Sequence, residues 1–334
     1  MPKNNFKNRN VLVAGGTGMV GQALIPKLKK YGAKIYVASM DNKNLSPKGI
    51  KRFFKTDLIN INNCLKVTKN MDCVINLLGI TGSPKINFSN PGSFMMSNLY
   101  CAVNLLYASE KNKVKRYLYT STYGVYGEKS NMKEKDMWSH FPSPNDKYAG
   151  WAKRMGELQI EAYKKEFKFE GLHVIRPANI YGPFANFNPK NSMVVASIIK
   201  RVLDGENPLK VWGDGKAIRD FIYADDVASA IIKVINKNIQ VPINIGSGKG
   251  VTIKKLVNEI VNCSKIRLKP KIIFEKSNKS AKKVGDKKRV LNVKHAKKYN
   301  IKNKINLSKG IFYTIDWYIK NKSKLESRYN YFAK

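Results

Sequence analysis

The residues whose types and spacing point most directly to chemistry lie near the start of the chain, in Val11-Leu-Val-Ala-Gly15-Gly-Thr-Gly18-Met-Val-Gly21. An apolar run ends in glycines, and helical spacing follows. Glycine at 15 permits a tight turn, Gly18 lets backbone approach a pyrophosphate, and Gly21 lets helix and strand pack closely. Phosphates then meet the free N–H groups and positive end of the helix. Gly15, Thr17, Gly18, Met19, Val20 and Gly21 are therefore the candidate cradle of a dinucleotide. The acid that would bond a ribose 2′-hydroxyl is expected at the end of the second strand. Ser39 stands there, with Asp41 two residues on and Lys43 nearby. Asp41 favours NAD, whereas Ser39 and Lys43 suit the 2′-phosphate of NADP; the reading leans to NAD.

Positioning these residues requires alternating strands and helices. Apolar runs predict strands over Val11–Ala14, Lys34–Ala38, Arg52–Thr56, Cys73–Leu78, Tyr117–Ser121 and Leu172–Arg176. Helical spacing predicts helices over Met19–Tyr31, Ile61–Lys69, Pro91–Lys111 and Ala152–Phe167. Such alternation implies right-handed crossovers and a parallel sheet covered on both faces. The expected fold class is α/β, a Rossmann-type doubly wound parallel sheet with a smaller mixed lobe. Residues 10–178 form the dinucleotide-binding domain and 179–330 mainly a substrate lobe, with part of 215–250 returning to the first. Helices fit Met193–Leu203 and Ala224–Ile235, and Pro242–Ile245 reads as one more strand.

The 334 residues include 43% hydrophobic and 10% aromatic residues, as in globular proteins. No apolar run is long enough to span a bilayer, and the polar, basic N-terminus does not read as a signal peptide. A cytoplasmic protein is expected. Four scattered cysteines and three histidines suggest reduced thiols and no metal site. The formal charge of +39 comes from lysines along the whole chain, densest from Lys265 to Lys288. It reads as compositional bias on solvated faces, without a nucleic-acid partner. The excess charge also attracts anions such as nucleotide diphosphates.

The G-x-x-G-x-x-G spacing resembles the short-chain dehydrogenase/reductase superfamily, in particular its extended branch of NAD-dependent sugar epimerases and dehydratases. The chain resembles GDP-fucose synthase-like and UDP-glucose 4-epimerase-like members of that branch. The resemblance covers about residues 10 to 320 and implies further cofactor contacts: Asp57 and Leu58 by the adenine, Leu78 and Gly79 by the nicotinamide ribose, and Asn98 in the long helix. It implies a catalytic set as well. Tyr119-Thr-Ser-Thr122-Tyr-Gly-Val-Tyr126-Gly127 resembles the family's S-S-x-x-V-Y-G segment, which gives Thr122 the hydroxyl role, supported by Ser121. The block Lys153 to Glu157 looks like the K-x-x-x-E that follows the family's catalytic tyrosine, and Lys153 also contacts cofactor. The expected Y-x-x-x-K has alanine at 149, and Tyr148 comes one residue early. In a regular helix residues four apart differ by ~40° and residues five apart by ~140°. Tyr148 can serve only if the helix starts after it or a π-type bulge near Gly150 absorbs a residue. The alternatives are a displaced phenol such as Tyr123, or loss of the chemistry.

On the substrate side, Arg176-Pro-Ala-Asn179-Ile-Tyr181-Gly-Pro183 resembles the sugar-enzyme segment R-P-x-N-x-Y-G-P, giving Asn179 a substrate contact. By the same likeness Trp212 lines the nucleotide pocket, and Arg219 and Arg289 hold the diphosphate. The chain also departs from the pattern. Gly124 and Met193 stand where 3,5-epimerising members carry cysteine and histidine, and neither can exchange protons. Tyr123 and Gly124 follow Thr122 where dehydratases carry acids. The implied activity is 4-epimerisation of a nucleotide-diphosphate sugar through a transient 4-keto sugar, with keto-sugar reduction as one alternative. A degenerate member serving as a nucleic-acid or assembly partner is another. The resemblance also implies a homodimer through the helices holding Asn98 and Lys153.

Overall fold

A computed structural model describes residues 4–79, 89–127, 131–189, 191–275, 286–325 and 328–329. Part of the lysine-dense stretch, 276–285, lies outside the described residues.

Seven parallel strands form the main sheet: β1 (Asn10–Ala14), β2 (Lys34–Ser39), β3 (Arg52–Lys55), β4 (Cys73–Asn76), β5 (Arg116–Thr120), β6 (Leu172–Pro177) and β10 (Ile243–Ile245). Their order is β10-β6-β5-β4-β1-β2-β3. The direction of winding reverses between β1 and β4, and the crevice beyond the strand ends at such a reversal is where ligands bind. Register puts Ala14 beside both Ala38 and Asn76, and Asn76 beside Tyr119, so the loops after these strands open on one rim.

Alternation of side chains along each strand builds two cores. Val11 and Val13 pack with Leu24, Ile25 and Leu28 of α1 (Met19–Lys30), and with Val227, Ile231 and Ile235, on one face. Leu12 and Ala14 face the other way. They pack with Cys64 and Val67 of α2 (Ile61–Thr68), Ala102, Leu105 and Leu106 of α3 (Pro91–Lys111), and Ile160 of α4 (Lys147–Glu166). Both faces of the sheet are thus buried, which is what continuous apolar strands require.

The α/β fold class expected from the alternation is the observed one, and the differences are local. β4 ends two residues before the apolar run does: the Leu77 N–H still reaches the Ala14 carbonyl of β1 at 3.0 Å, but the Leu78 N–H turns back to Asn76 Oδ1 at 3.0 Å. α4 starts at Lys147, five residues before the predicted Ala152, after a 3₁₀ turn over Pro144–Asp146.

The smaller lobe has its own core of Ile199, Val202, Leu209, Phe221, Leu256, Val257, Ile260, Ile311 and Ile315. Its helices are α5 (Val194–Leu203), α7 (Ile253–Cys263) and α9 (Leu307–Asn321). Its strands are β7 (Asn179–Tyr181), β8 (Leu209–Trp212), β9 (Ile218–Tyr223), β11 (Gly250–Thr252), β12 (Ile272–Glu275) and β13 (Lys288–Arg289). β9 pairs antiparallel with β11 and parallel with β7 and β13, giving a mixed sheet. Between these pieces α6 (Ala224–Asn236) returns to pack on α1, and β10 adds to the main sheet beside β6. Leu291, Ala296 and Ile301 also belong to the main core, with Ala296 on the short α8 (Lys294–Lys298). Their return is not marked in the sequence pattern.

Candidate active site

A cavity of about 550 Å³ opens at the rim between β1 and β4 and runs between the two lobes, a size ordinary for small-molecule sites. Its first half is the β1–α1 turn. Gly15 has φ of 77°, a backbone region open mainly to glycine. A Cβ on Gly21 would lie 2.3 Å from the Gly16 carbonyl oxygen, so only glycine lets α1 start this close to the turn. α1 begins after Gly18 with no capping side chain and no acidic residue in its first turn. Its unsatisfied N–H groups and positive end are thus left for an anion. These features fit a dinucleotide's diphosphate.

Of the residues expected to touch cofactor, Gly15, Thr17, Gly18, Met19, Val20, Gly21, Ser39, Asp41, Asp57, Leu58, Leu78, Gly79, Asn98 and Lys153 line this cavity, whereas Lys43 does not. Thr17 Oγ1 lies 2.8 Å from Ser39 Oγ and donates to Asp41 Oδ2 at 2.8 Å, tying the glycine turn to the end of β2. Asp57 Oδ1 accepts from the Ile59 N–H, and Asn98 Nδ2 donates to the Phe94 carbonyl. Lys153 is buried; its ammonium donates to the carbonyls of Leu78 at 2.8 Å and Thr120 at 2.9 Å and stands over the Tyr119 ring. Burial pulls its pKa down to about 8.

The second half brings Ser121, Thr122, Tyr123, Asp146, Ala149 and Asn179 to the same cavity, and Tyr148 is not among its lining residues. Neither expected way of bringing Tyr148 inward is realised. α4 is unbroken α-helix from Lys147, so the helix neither starts after residue 148 nor bulges at Gly150. Gly150 instead seats the first turn against neighbouring backbone: a Cβ there would lie 2.6 Å from the Gly124 carbonyl oxygen. Regular geometry then gives Ala149, not Tyr148, the face shared with Lys153. Tyr148 is half-exposed, with the Lys147 ammonium 5.6 Å from its ring centre.

Among the described residues three tyrosines line the cavity, Tyr123, Tyr181 and Tyr329; the one next to Thr122 is Tyr123, in a 3₁₀ turn whose N-cap, Thr122, accepts from the Gly124 N–H at 3.1 Å. Tyr123 OH donates to Asn179 Oδ1 at 2.9 Å, and the Arg289 guanidinium lies 4.9 Å from its ring centre. Burial raises its pKa, opposed by Arg289, so it keeps its proton at neutral pH. Ser121 donates to Glu157, which is paired with Arg176; all three are buried.

Of the expected substrate residues, Ser121 and Asn179 line the cavity, whereas Trp212, Arg219 and Arg289 do not. On β8, Leu209 and Val211 point inward, so strict alternation turns Trp212 outward, 59% exposed. Arg219 donates to the carbonyls of Ile218 and Asp286. Arg289, its register neighbour, is buried behind Tyr123 and paired with Asp146 and Asp286. Burial works against its charge, but Asp146, Tyr123 and Asp286 outweigh that and raise its pKa. These arginines lock the entry of α4 to the lobe. Arg328 and Tyr329 line the cavity without any signal in the sequence pattern.

Residues 11–246 match the NAD dependent epimerase/dehydratase family. The chain is 30% identical over 261 residues to GDP-mannose 3,5-epimerase 1 of Oryza sativa subsp. indica, covering 75% of this chain and 68% of that protein. It is 25% identical over 337 residues to GDP-L-fucose synthase of Escherichia coli (strain K12), covering 96% and 99%. Among solved structures, UDP-glucose 4-epimerase of Thermotoga maritima with UDP-glucose superposes with a TM-score of 0.81 at 25% identity, covering 94% of this chain and 99% of that one. The glycine turn, the reversal of sheet order and the lysine at the strand ends are thus features of a dinucleotide-using enzyme, and the chain belongs to the NAD dependent epimerase/dehydratase family.

Proposed function

We propose that the enzyme acts at one hydroxyl-bearing carbon of a nucleotide-diphosphate sugar, as a 4-epimerase working through a transient 4-keto sugar. The observation that carries this reading is the convergence of the glycine turn, Lys153, Thr122 and Tyr123 on one cavity. GDP-sugar names among the curated relatives support the substrate class. The cradle from Gly15 to Gly21, with Asp57, Asn98 and Lys153, would hold the dinucleotide, which supplies redox capacity at the sugar carbon when bound.

Lys153 places a cation at the ends of β4 and β5, where it favours negative charge on a nearby oxygen. Thr122 orients the sugar hydroxyl. Tyr123 holds the exchanging proton, and the Arg289 cation over its ring supports the phenolate when that proton leaves. Ser121 and Asn179 hold the sugar, and Asn179 also fixes the Tyr123 hydroxyl. Glycine at 124 and methionine at 193 supply no proton for 3,5-epimerisation, and no acid follows Thr122 for elimination.

One observation favours a second reading, keto-sugar reduction: a phenol that keeps its proton suits delivery to a ketone better than abstraction from an alcohol. The two readings separate in one experiment. Protein is mixed with GDP- or UDP-hexoses, or with the 4-keto sugar and NAD(P)H, while absorbance at the nicotinamide band is followed. Epimer interconversion with no net absorbance change is expected. Stoichiometric loss of the reduced band would establish the reductase. No turnover under either condition would overturn both.

A further inference from the structure

The adenosine end of the cavity is closed by residues from the far end of the sequence. Asp41, after β2, is the acid expected to accept a ribose 2′-hydroxyl, yet its oxygens already have donors. Oδ1 accepts from the Tyr329 N–H at 2.7 Å. Oδ2 accepts from Thr17 Oγ1 at 2.8 Å and lies 3.3 Å from Arg328 Nη1. The same guanidinium donates to the Thr17 carbonyl at 2.9 Å and, through Nη2, to the Phe184 carbonyl at 3.0 Å. The Arg328 and Asp41 side chains are 17% and 11% exposed. Both residues line the cavity, as do Ser39 and Tyr329.

A carboxylate with vacant lone pairs at this place selects NAD in two ways. It accepts from the ribose hydroxyls, and its charge repels a 2′-phosphate. Here neither holds in full. The lone pairs are engaged, and a guanidinium offsets the charge. Guanidinium has five N–H donors in a planar fork suited to phosphate oxygens, and three of its hydrogen bonds here go to Asp41, Thr17 and Phe184. The Ser39 and Thr17 hydroxyls stand beside it, 2.8 Å apart. The ensemble is a cation with two hydroxyls at the position of the 2′ substituent.

We propose that Arg328, supported by the Tyr329 backbone, converts this end of the site into a 2′-phosphate pocket and sets cofactor choice toward NADP(H). The inference rests on the reading that the cavity holds a dinucleotide. It reverses the lean to NAD that Asp41 alone suggests.

The test is equilibrium binding by calorimetry of NAD, NADP, 5′-AMP and adenosine 2′,5′-bisphosphate. The proteins are the full chain, Arg328→Gln, Arg328→Lys and Asp41→Asn. The full chain should prefer the 2′-phosphorylated member of each pair. Arg328→Gln should lose at least about tenfold in affinity for NADP and the bisphosphate, with NAD and AMP held or strengthened, as expected for one charge-assisted phosphate contact. Arg328→Lys should fall between, and Asp41→Asn should keep or strengthen NADP. Equal loss of both cofactors in Arg328→Gln would reduce the arginine to a positioning residue and overturn the proposal. Tighter binding of both would make residues 328–329 a plug that competes with cofactor, again overturning it. A preference for NAD in the full chain would do the same. If no protein binds either dinucleotide, the cofactor reading itself fails and the inference falls with it.

Discussion

Ala149 holds the helix position from which a phenol would have faced Lys153, and the proposed mechanism gives the proton chemistry to Tyr123 instead. Two substitutions test that at once. Tyr123→Phe should lower kcat by about 100-fold or more, the range for losing a general acid–base, while dinucleotide still binds by calorimetry. Tyr148→Phe should stay within about twofold, as a half-exposed side chain outside the cavity. The reverse ranking in steady-state kinetics would restore Tyr148 as the working phenol. Lys153 gives a pH signature in stability. Burial lowers its folded pKa to about 8, below its ordinary value. Between about pH 8 and 10.5 the unfolded chain therefore binds the proton and the native one does not, so stability rises with pH across that window, by up to about 3 kcal/mol. Denaturant midpoints of the free protein, compared with Lys153→Met, should show a rise in the parent that the variant lacks.

At the scale of elements, the site depends on α4 being clamped to β6, β10 and the 3₁₀ turn that follows β5. Glu157 on α4 accepts from Arg176 Nη2 at 2.6 Å; Arg176 donates to Tyr126 OH at 2.8 Å, and Tyr126 donates to Asn244 Oδ1 at 2.7 Å. Removing one member of a buried pair leaves an uncompensated charge. Glu157→Ala should cost about 3–5 kcal/mol in urea unfolding, and should also free the Ser121 hydroxyl in the cavity. A loss below about 1 kcal/mol would mean that the helix is held by apolar packing alone. The strands and helices of the first half are legible in sequence because each buries both faces or one stripe, and that need shows as apolar runs or helical spacing. The lobe strands are short, two to six residues, and pair with partners far along the chain. Their apolar signal is too brief to place them individually, so the sequence after Pro177 reads as loops, short helices and isolated strands.

For the whole molecule, the formal charge is +39, and the proposed substrate and cofactor are anions. Attraction at that range is screened within about 10 Å at 0.1 M salt. Raising salt from about 0.05 to 0.5 M should therefore slow nucleotide-sugar association several-fold in stopped-flow while changing dissociation little. A salt-independent association rate would leave the charge without a role in capture.

The lysine at the rim was legible only through the resemblance of the block Lys153 to Glu157 to the family's K-x-x-x-E, whereas the amino-acid order alone determined the doubly wound sheet and the glycine turn at its reversal. Each follows from a local rule, such as strand alternation, helical period or the steric need for glycine, that a short window of residues contains. That Ala149 and not Tyr148 shares the face of Lys153 was settled by the start of α4, where a 3₁₀ turn and the Gly124–Gly150 approach set the phase of the whole helix. The fates of the arginines were settled by meetings across the chain. Arg289 pairs with Asp146 over a separation of 143 residues, and Arg328 reaches Asp41 over 287. Such pairings depend on how the two lobes close, and no periodicity within either segment encodes it.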